Sequence, residues 1–151
     1  MRERKSARLL VISPGQEVLL FRFVHTDDAL AGKEHWATPG GGLEQDESFR
    51  QAAIRELFEE TGIEVIDVGE PVGDRRFVMR LPSGEDVISV EQYFVVRASS
   101  QQLSRAGWTE HETRVMAEHH WWSEEELRTT QATVYPERLL EMMALAQERG
   151  G

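Results

Sequence analysis

Glu47, Arg55, Glu56, Glu59 and Glu60 fall within one short stretch of the chain, and their spacing points to metal-assisted chemistry. On a helix, residues three and four apart share a face. Glu56, Glu59 and Glu60 would then form a tight carboxylate triangle, with Arg55 one turn before Glu59. Like charges this close destabilise a helix, and Arg55 offsets only part of the repulsion, so a divalent cation is the natural missing partner. Oxygen ligands with no Cys and no neighbouring His suit Mg²⁺, or Mn²⁺ in its place, rather than zinc. A solvated acidic helix face is the alternative reading of such a run.

The elements that must position these groups are legible on either side. Residues 47–61 contain no Pro or Gly and are predicted to be helical. They follow a turn of Pro39, Gly40, Gly41 and Gly42. Ser48 is the expected N-cap and Gly62 the stop. Phe49, Ala53 and Leu57 recur at four-residue spacing with Ile54 and Phe58 alongside, so one face is apolar and the opposite side is expected to be acidic.

The stretch 41–63 resembles the signature of the Nudix hydrolases, Gly-x5-Glu-x7-Arg-Glu-U-x-Glu-Glu-x-Gly-U with U aliphatic. Gly41, Glu47, Arg55, Glu56, Leu57, Glu59, Glu60, Gly62 and Ile63 fill every specified position. A chance match in a chain of this size has a probability below roughly one in a million. The resemblance implies an α/β fold, an α/β/α sandwich with a mixed central sheet and the catalytic loop-helix-loop on one side. It implies water attack on phosphorus in a nucleoside diphosphate linked to another moiety. Glu59 and Glu60 are the first choice as metal ligands, with Glu56 either a third ligand or the base; position alone does not separate those roles. By the resemblance, the carbonyl of Gly40 also ligates, Arg55 orients the catalytic carboxylates, and Glu47 and Gly41 support the loop-helix unit. Enzymes of this resemblance commonly supply a further carboxylate from a later loop. Glu91, Glu110, Glu112 and Glu118 compete for that role, and Glu112 is the expected one.

The remaining composition sets bounds. At 151 residues and 40% hydrophobic content, the chain is expected to form a single domain over 1–151. A net charge of −10 argues against binding a large nucleic acid, although bound cations still allow an anionic substrate. Cys is absent, which excludes a disulfide framework, a thiolate nucleophile and a Cys-ligated metal. The apolar run 9–12 is too short for a signal or membrane segment, so no membrane association and a cytoplasmic location are expected.

Along the chain, 8–13 and 17–23 flank Pro14-Gly15-Gln16 and predict a hairpin. Residues 24–34 read as an exposed loop containing His25. Segment 63–68 is a short β-branched run. Residues 71–81 and 87–98 predict a second hairpin, and 99–114 an irregular lid. A strand over 118–123 precedes a short helix capped by Ser123. In the last helix, opened by Pro136, the stripe Leu139, Leu140, Met143 and Leu145 or Ala146 is core or a homodimer face. Trp36, Arg22, Arg75 and Arg76 are candidate contacts for a small-molecule nucleotide. The expected substrate is a nucleoside triphosphate. ADP-ribose, dinucleoside polyphosphates and nucleotide sugars are the alternatives within the class, and a nucleotide-binding regulatory module without turnover is the alternative outside it.

Overall fold

The computed structural model describes residues 1–25 and 29–150, so part of the loop expected at 24–34 lies outside the described residues. The elements are β1 (Glu3–Ile12), β2 (Val18–Val24), β3 (Glu34–Ala37), β4 (Gly40–Gly42), α1 (Phe49–Thr61), β5 (Gly73–Arg80), β6 (Asp86–Arg97), α2 (Glu110–Val115), β7 (Met116–Trp122), α3 (Glu124–Thr129), β8 (Val134–Tyr135) and α4 (Leu139–Gly150). One mixed sheet runs in the order β5-β6-β1-β2-β3-β8, with β4 added to β1 and β7 to β2. Among the described residues no helix is long and apolar enough to cross a membrane.

Strand β1 is the spine. Leu9, Leu10, Val11 and Ile12 are all buried, because successive side chains face opposite sides of the sheet and both sides are covered. Ala7, Leu9 and Val11 meet Ala52, Ala53 and Leu57 of α1 in one core. Leu10 joins Leu20, Tyr93 and the α4 residues Leu139, Met142 and Met143 in the other. The helices thus lie on opposite faces, as an α/β/α sandwich requires.

The first hairpin differs from its expectation. Ile12 and Val18 are the register pair joining β1 to β2, whereas β1 pairs in parallel with β6 from Glu3 to Ile12. A strand has two edges. With β6 along one edge of β1, strands β2 and β4 must share the other; with β7 along one edge of β2, strands β1 and β3 share the other. The two strands part like a V, and the turn from β3 to β4 sits inside it. The second hairpin forms as expected, β5 pairing with β6 from Gly73↔Tyr93 to Arg80↔Asp86.

Two further expectations are corrected. Segment 63–68 forms no strand; its Ile63, Val65 and Val68 pack on the α1 core instead. In α4 the buried stripe is Leu139, Met142, Met143 and Ala146, while Leu145 is 42% exposed.

Candidate active site

The catalytic segment is fixed at both ends by local chemistry. Ser48 caps α1 through the Gln51 N–H, and Gln51 returns the bond to the Ser48 N–H. Gly62 closes the helix at φ 81°, a left-handed conformation that favours glycine. Before the helix, Gly40 adopts φ 141°, and a Cβ there would lie 2.1 Å from the Ala7 carbonyl oxygen, so only glycine lets β4 lie this close to β1.

Arg55 ties turn and helix together. Its Nε and Nη2 donate to the two oxygens of Glu47 at 2.8 Å each, and Nη2 also donates to the Gly42 carbonyl at 3.0 Å. Nη1 donates to Glu56 at 3.0 Å and to Glu59 at 3.2 Å. A planar guanidinium can serve all of these at once where an ammonium could not. The hydrogen bond from Arg55 holds the Glu47 pKa below the usual value.

The carboxylates that converge are Glu56, Glu60 and Glu112, each offering an oxygen within 4.8 Å of the others. Glu56 reaches the cleft because Gly41 has no side chain: a Cβ there would lie 2.5 Å from the Glu56 carboxylate. Glu60 is 2% exposed, and both its oxygens accept from the Gly40 N–H, at 3.1 and 3.2 Å. Burial, then the charges of Glu56 and Glu112, push the Glu60 pKa well above the usual carboxylate range. Burial raises that of Glu56 as well, with Arg55 opposing. Hard oxygen donors, partly desolvated and repelling one another, match the requirements of a divalent cation such as Mg²⁺. Glu59 lines the same cleft with its carboxylate on Arg55. The Gly40 carbonyl accepts from Arg8 at 3.1 Å.

Glu112 arrives by a route that local pattern reading did not anticipate. The segment expected as an irregular lid is docked on the end of α1. Ser104 N–H donates to the Thr61 carbonyl at 2.8 Å, Trp108 Nε1 donates to the Glu60 carbonyl at 2.8 Å, and the Trp108 ring meets Phe21 edge-on. The segment then enters helix α2, where Thr109 and Glu112 form a reciprocal capping box. The sequence signal was present in Thr109-Glu110-His111-Glu112. Gly107 lies against the Glu59 backbone, and a Cβ there would stand 2.6 Å from the Glu59 carbonyl oxygen and 2.9 Å from its Cα. Gly107→Ala must therefore lift the segment that carries Glu112. The expected result is a melting temperature lower by roughly 3–10 °C and reduced turnover. Native values of both in a thermal melt and a rate assay would show that this docking is dispensable.

The carboxylates open onto a cleft of about 730 Å³ also lined by Arg4, Arg8, His25, His35 and Met79. A side pocket of about 440 Å³ shares Arg8, His25, His35 and Met79 with it and continues to Arg75, Phe77 and Tyr135. Arg75 lies over the Phe77 ring at 3.8 Å and pairs with Glu91 and Glu137. Glu91, 3% exposed, also holds Arg8 at 3.1 Å and the Tyr93 hydroxyl at 2.5 Å. Burial works against its charge, but Arg8, Tyr93 and Arg75 outweigh it and lower its pKa. Burial of His35, reinforced by His25 and two arginines, lowers its pKa to about 4, so it is neutral at physiological pH.

The remaining candidates lie apart from these walls. Trp36 packs edge-on against Trp122 and His120 beside the α4 core. Arg76 points outward to Glu3, and Arg22 bridges Glu34 and Glu118. Glu110 is exposed.

A NUDIX domain model matches residues 2–143, and the chain belongs to that family. The Escherichia coli ORF135 protein has a similar structure, with a TM-score of 0.64 and 31% identity over 99% of this chain and 94% of that one. A MutT protein from Methanosarcina mazei Go1 superposes at a TM-score of 0.70 with 23% identity, covering 99% and 97%. The NUDIX domain of Shewanella oneidensis NrtR, determined in complex with ADP ribose, gives 0.64 at 20% identity, covering 100% and 90%. These last two likenesses concern the fold. In sequence, the Escherichia coli phosphatase NudJ (strain K12) is 48% identical over 42 residues, a match that spans 28% of each protein.

Proposed function

We propose that this protein hydrolyses a diphosphate linkage in a nucleoside diphosphate derivative with Mg²⁺ as cofactor, Mn²⁺ serving in its place. The observation that carries this reading is the convergence of Glu56, Glu60 and Glu112 at one wall of the cleft. Glu56 and Glu60, with Glu59 beside them, would hold the ion, which when bound neutralises phosphate oxygens and lowers the pKa of water.

The chain's own residues supply the rest. Glu60, fixed by Gly40, serves as an immobile ligand, and Arg55 keeps Glu56 and Glu59 turned toward the cleft. Glu112 is the cluster member that does not come from α1. Its Oε1 accepts the Thr109 N–H, which leaves its second oxygen to take a proton from the attacking water. The water oxygen bonds to phosphorus as the bridging P–O bond breaks, and the leaving phosphate departs with that electron pair.

A nucleoside triphosphate is the first choice of substrate: the side pocket lined by Tyr135, Phe77 and His35 offers a recess for one base and ribose, and each alternative brings a second bulky moiety that would also need room. The test is release of phosphate or pyrophosphate, with phosphatase coupling where needed, from nucleoside triphosphates, ADP-ribose, dinucleoside polyphosphates and nucleotide sugars, with Mg²⁺ and with EDTA. Turnover that requires the metal is expected, fastest on a triphosphate. Nucleotide binding without release of any product would instead mark a regulatory module.

A further inference from the structure

Three arginines line the catalytic cleft among the described residues: Arg4, Arg8 and Arg55. Arg55 is held by Glu47, Glu56 and Glu59, and Arg8 by Glu91 and the Gly40 carbonyl. Arg4 differs. Its Nη1 donates to the Ser6 hydroxyl at 3.0 Å, and among the described residues it has no carboxylate partner at ion-pair distance.

The environment of Arg4 makes that lack of a partner informative. Its side chain is half-buried, and burial and neighbouring Arg8 work against its charge more than the nearby carboxylates of Glu91 and Glu56 support it. A partly desolvated cation beside another cation gains most from an anion that arrives with the ligand. Period-two alternation puts Arg4, Ser6 and Arg8 on one face of β1. The turn accommodates the head group: a Cβ on Gly42 would stand 3.3 Å from Arg4 Nη2, so a side chain there would crowd the guanidinium. The cleft therefore carries both signs of charge, with cation-seeking carboxylates at Glu56, Glu60 and Glu112 and, at Arg4, a guanidinium that among the described residues has no ion-pair partner. A diphosphate has two anionic centres, and a guanidinium fork can meet two oxygens of one of them.

We propose that Arg4 is the anion-binding residue of the cleft, gripping the substrate phosphate that lies away from the carboxylate cluster. The inference rests on the diphosphate reading above for the identity of that anion. It is tested with Arg4→Gln and Arg4→Lys in the full chain, by calorimetric titration of ADP with Mg²⁺ and by steady-state kinetics on the best substrate of the panel. Arg4→Gln is expected to weaken ADP binding roughly 10- to 100-fold, and to raise KM by a similar factor while kcat changes far less. Arg4→Lys should recover part of the affinity, since it restores the charge without the fork. Both variants should melt with the wild type. Three results overturn the assignment: ADP binding unchanged in Arg4→Gln, no ADP binding by the wild type, or affinity lost equally in both variants together with a lower melting temperature. If the wild type binds ADP but hydrolyses nothing, and Arg4→Gln still weakens ADP, the proposed reaction fails while the Arg4 site stands.

Discussion

Glu60→Gln should nearly abolish turnover and at the same time make the metal-free protein more stable. Both effects come from one carboxylate. Glu60 is buried beside Glu56 and Glu112, so its charge is unfavourable until a cation compensates it. Gln keeps an oxygen that can accept the Gly40 N–H and removes the charge. In the proposed mechanism Glu60 holds the ion, and loss of such a charge removes several kcal/mol of transition-state stabilisation, or roughly two to four powers of ten in rate.

The stability effect has a definite dependence on pH. The folded pKa of Glu60 lies above the usual 4.5, so the ionised form is the disfavoured one in the native state. The penalty is absent below the unfolded pKa, grows as pH rises above 4.5, and is complete only above the folded pKa. The melting temperature of Glu60→Gln minus that of the wild type, without metal, should therefore be near zero in acid and positive at neutral pH. Mg²⁺ should raise the wild-type melting temperature, because only the folded chain presents these carboxylates together, and should raise that of the variant much less. Near-native turnover of Glu60→Gln at saturating Mg²⁺ would remove Glu60 from the ligand set. A variant that is less stable than the wild type at neutral pH would contradict the electrostatic account.

How much of this could be read from the sequence depended on how local its causes are. Helix α1 was legible because Ser48, Gly62 and the spacing of Ala53 and Leu57 act within a few residues. Glu47, expected as a brace of the loop-helix unit, accepts two bonds from Arg55. The burial of Glu56 and Glu60 was not legible, since it arises from β4 lying on β1, a contact made by residues far apart in sequence. For the same reason Pro14-Gly15-Gln16 correctly marked a reversal but suggested too long a hairpin. The uninterrupted run Leu9 to Ile12 was the better clue, because a strand buried on both faces need not alternate. In α4, periodicity admits two neighbouring stripes, and only the partner surface selects Met142 over Leu140. Arg4 carried no local signal beyond its period-two relation to Arg8; that it has no carboxylate partner among the described residues is a property of the assembled cleft.

Glu112→Gln is the second substitution expected to have a large effect, and its main effect should be on the rate. Glutamine serves as well as glutamate at the third position of a capping box, so its carbonyl oxygen can still accept the Thr109 N–H and α2 should remain in place. What disappears is the carboxylate that faces Glu56 and Glu60 and, in the proposed mechanism, takes the proton from water. Loss of a general base lowers kcat by about two to four powers of ten. Glu110 is exposed, and Glu118 makes a surface pair with Arg22, so Glu110→Gln and Glu118→Gln should leave kcat within about twofold. Glu91→Gln provides the contrast. It breaks contacts with Arg8, Arg75 and Tyr93 in a buried network, so it should lower the melting temperature before it lowers the rate. Steady-state rates and thermal melts of these four variants separate the roles. Should Glu91→Gln lose turnover at an unchanged melting temperature while Glu112→Gln keeps it, the proton acceptor belongs to β6, and α2 serves only to close the cleft.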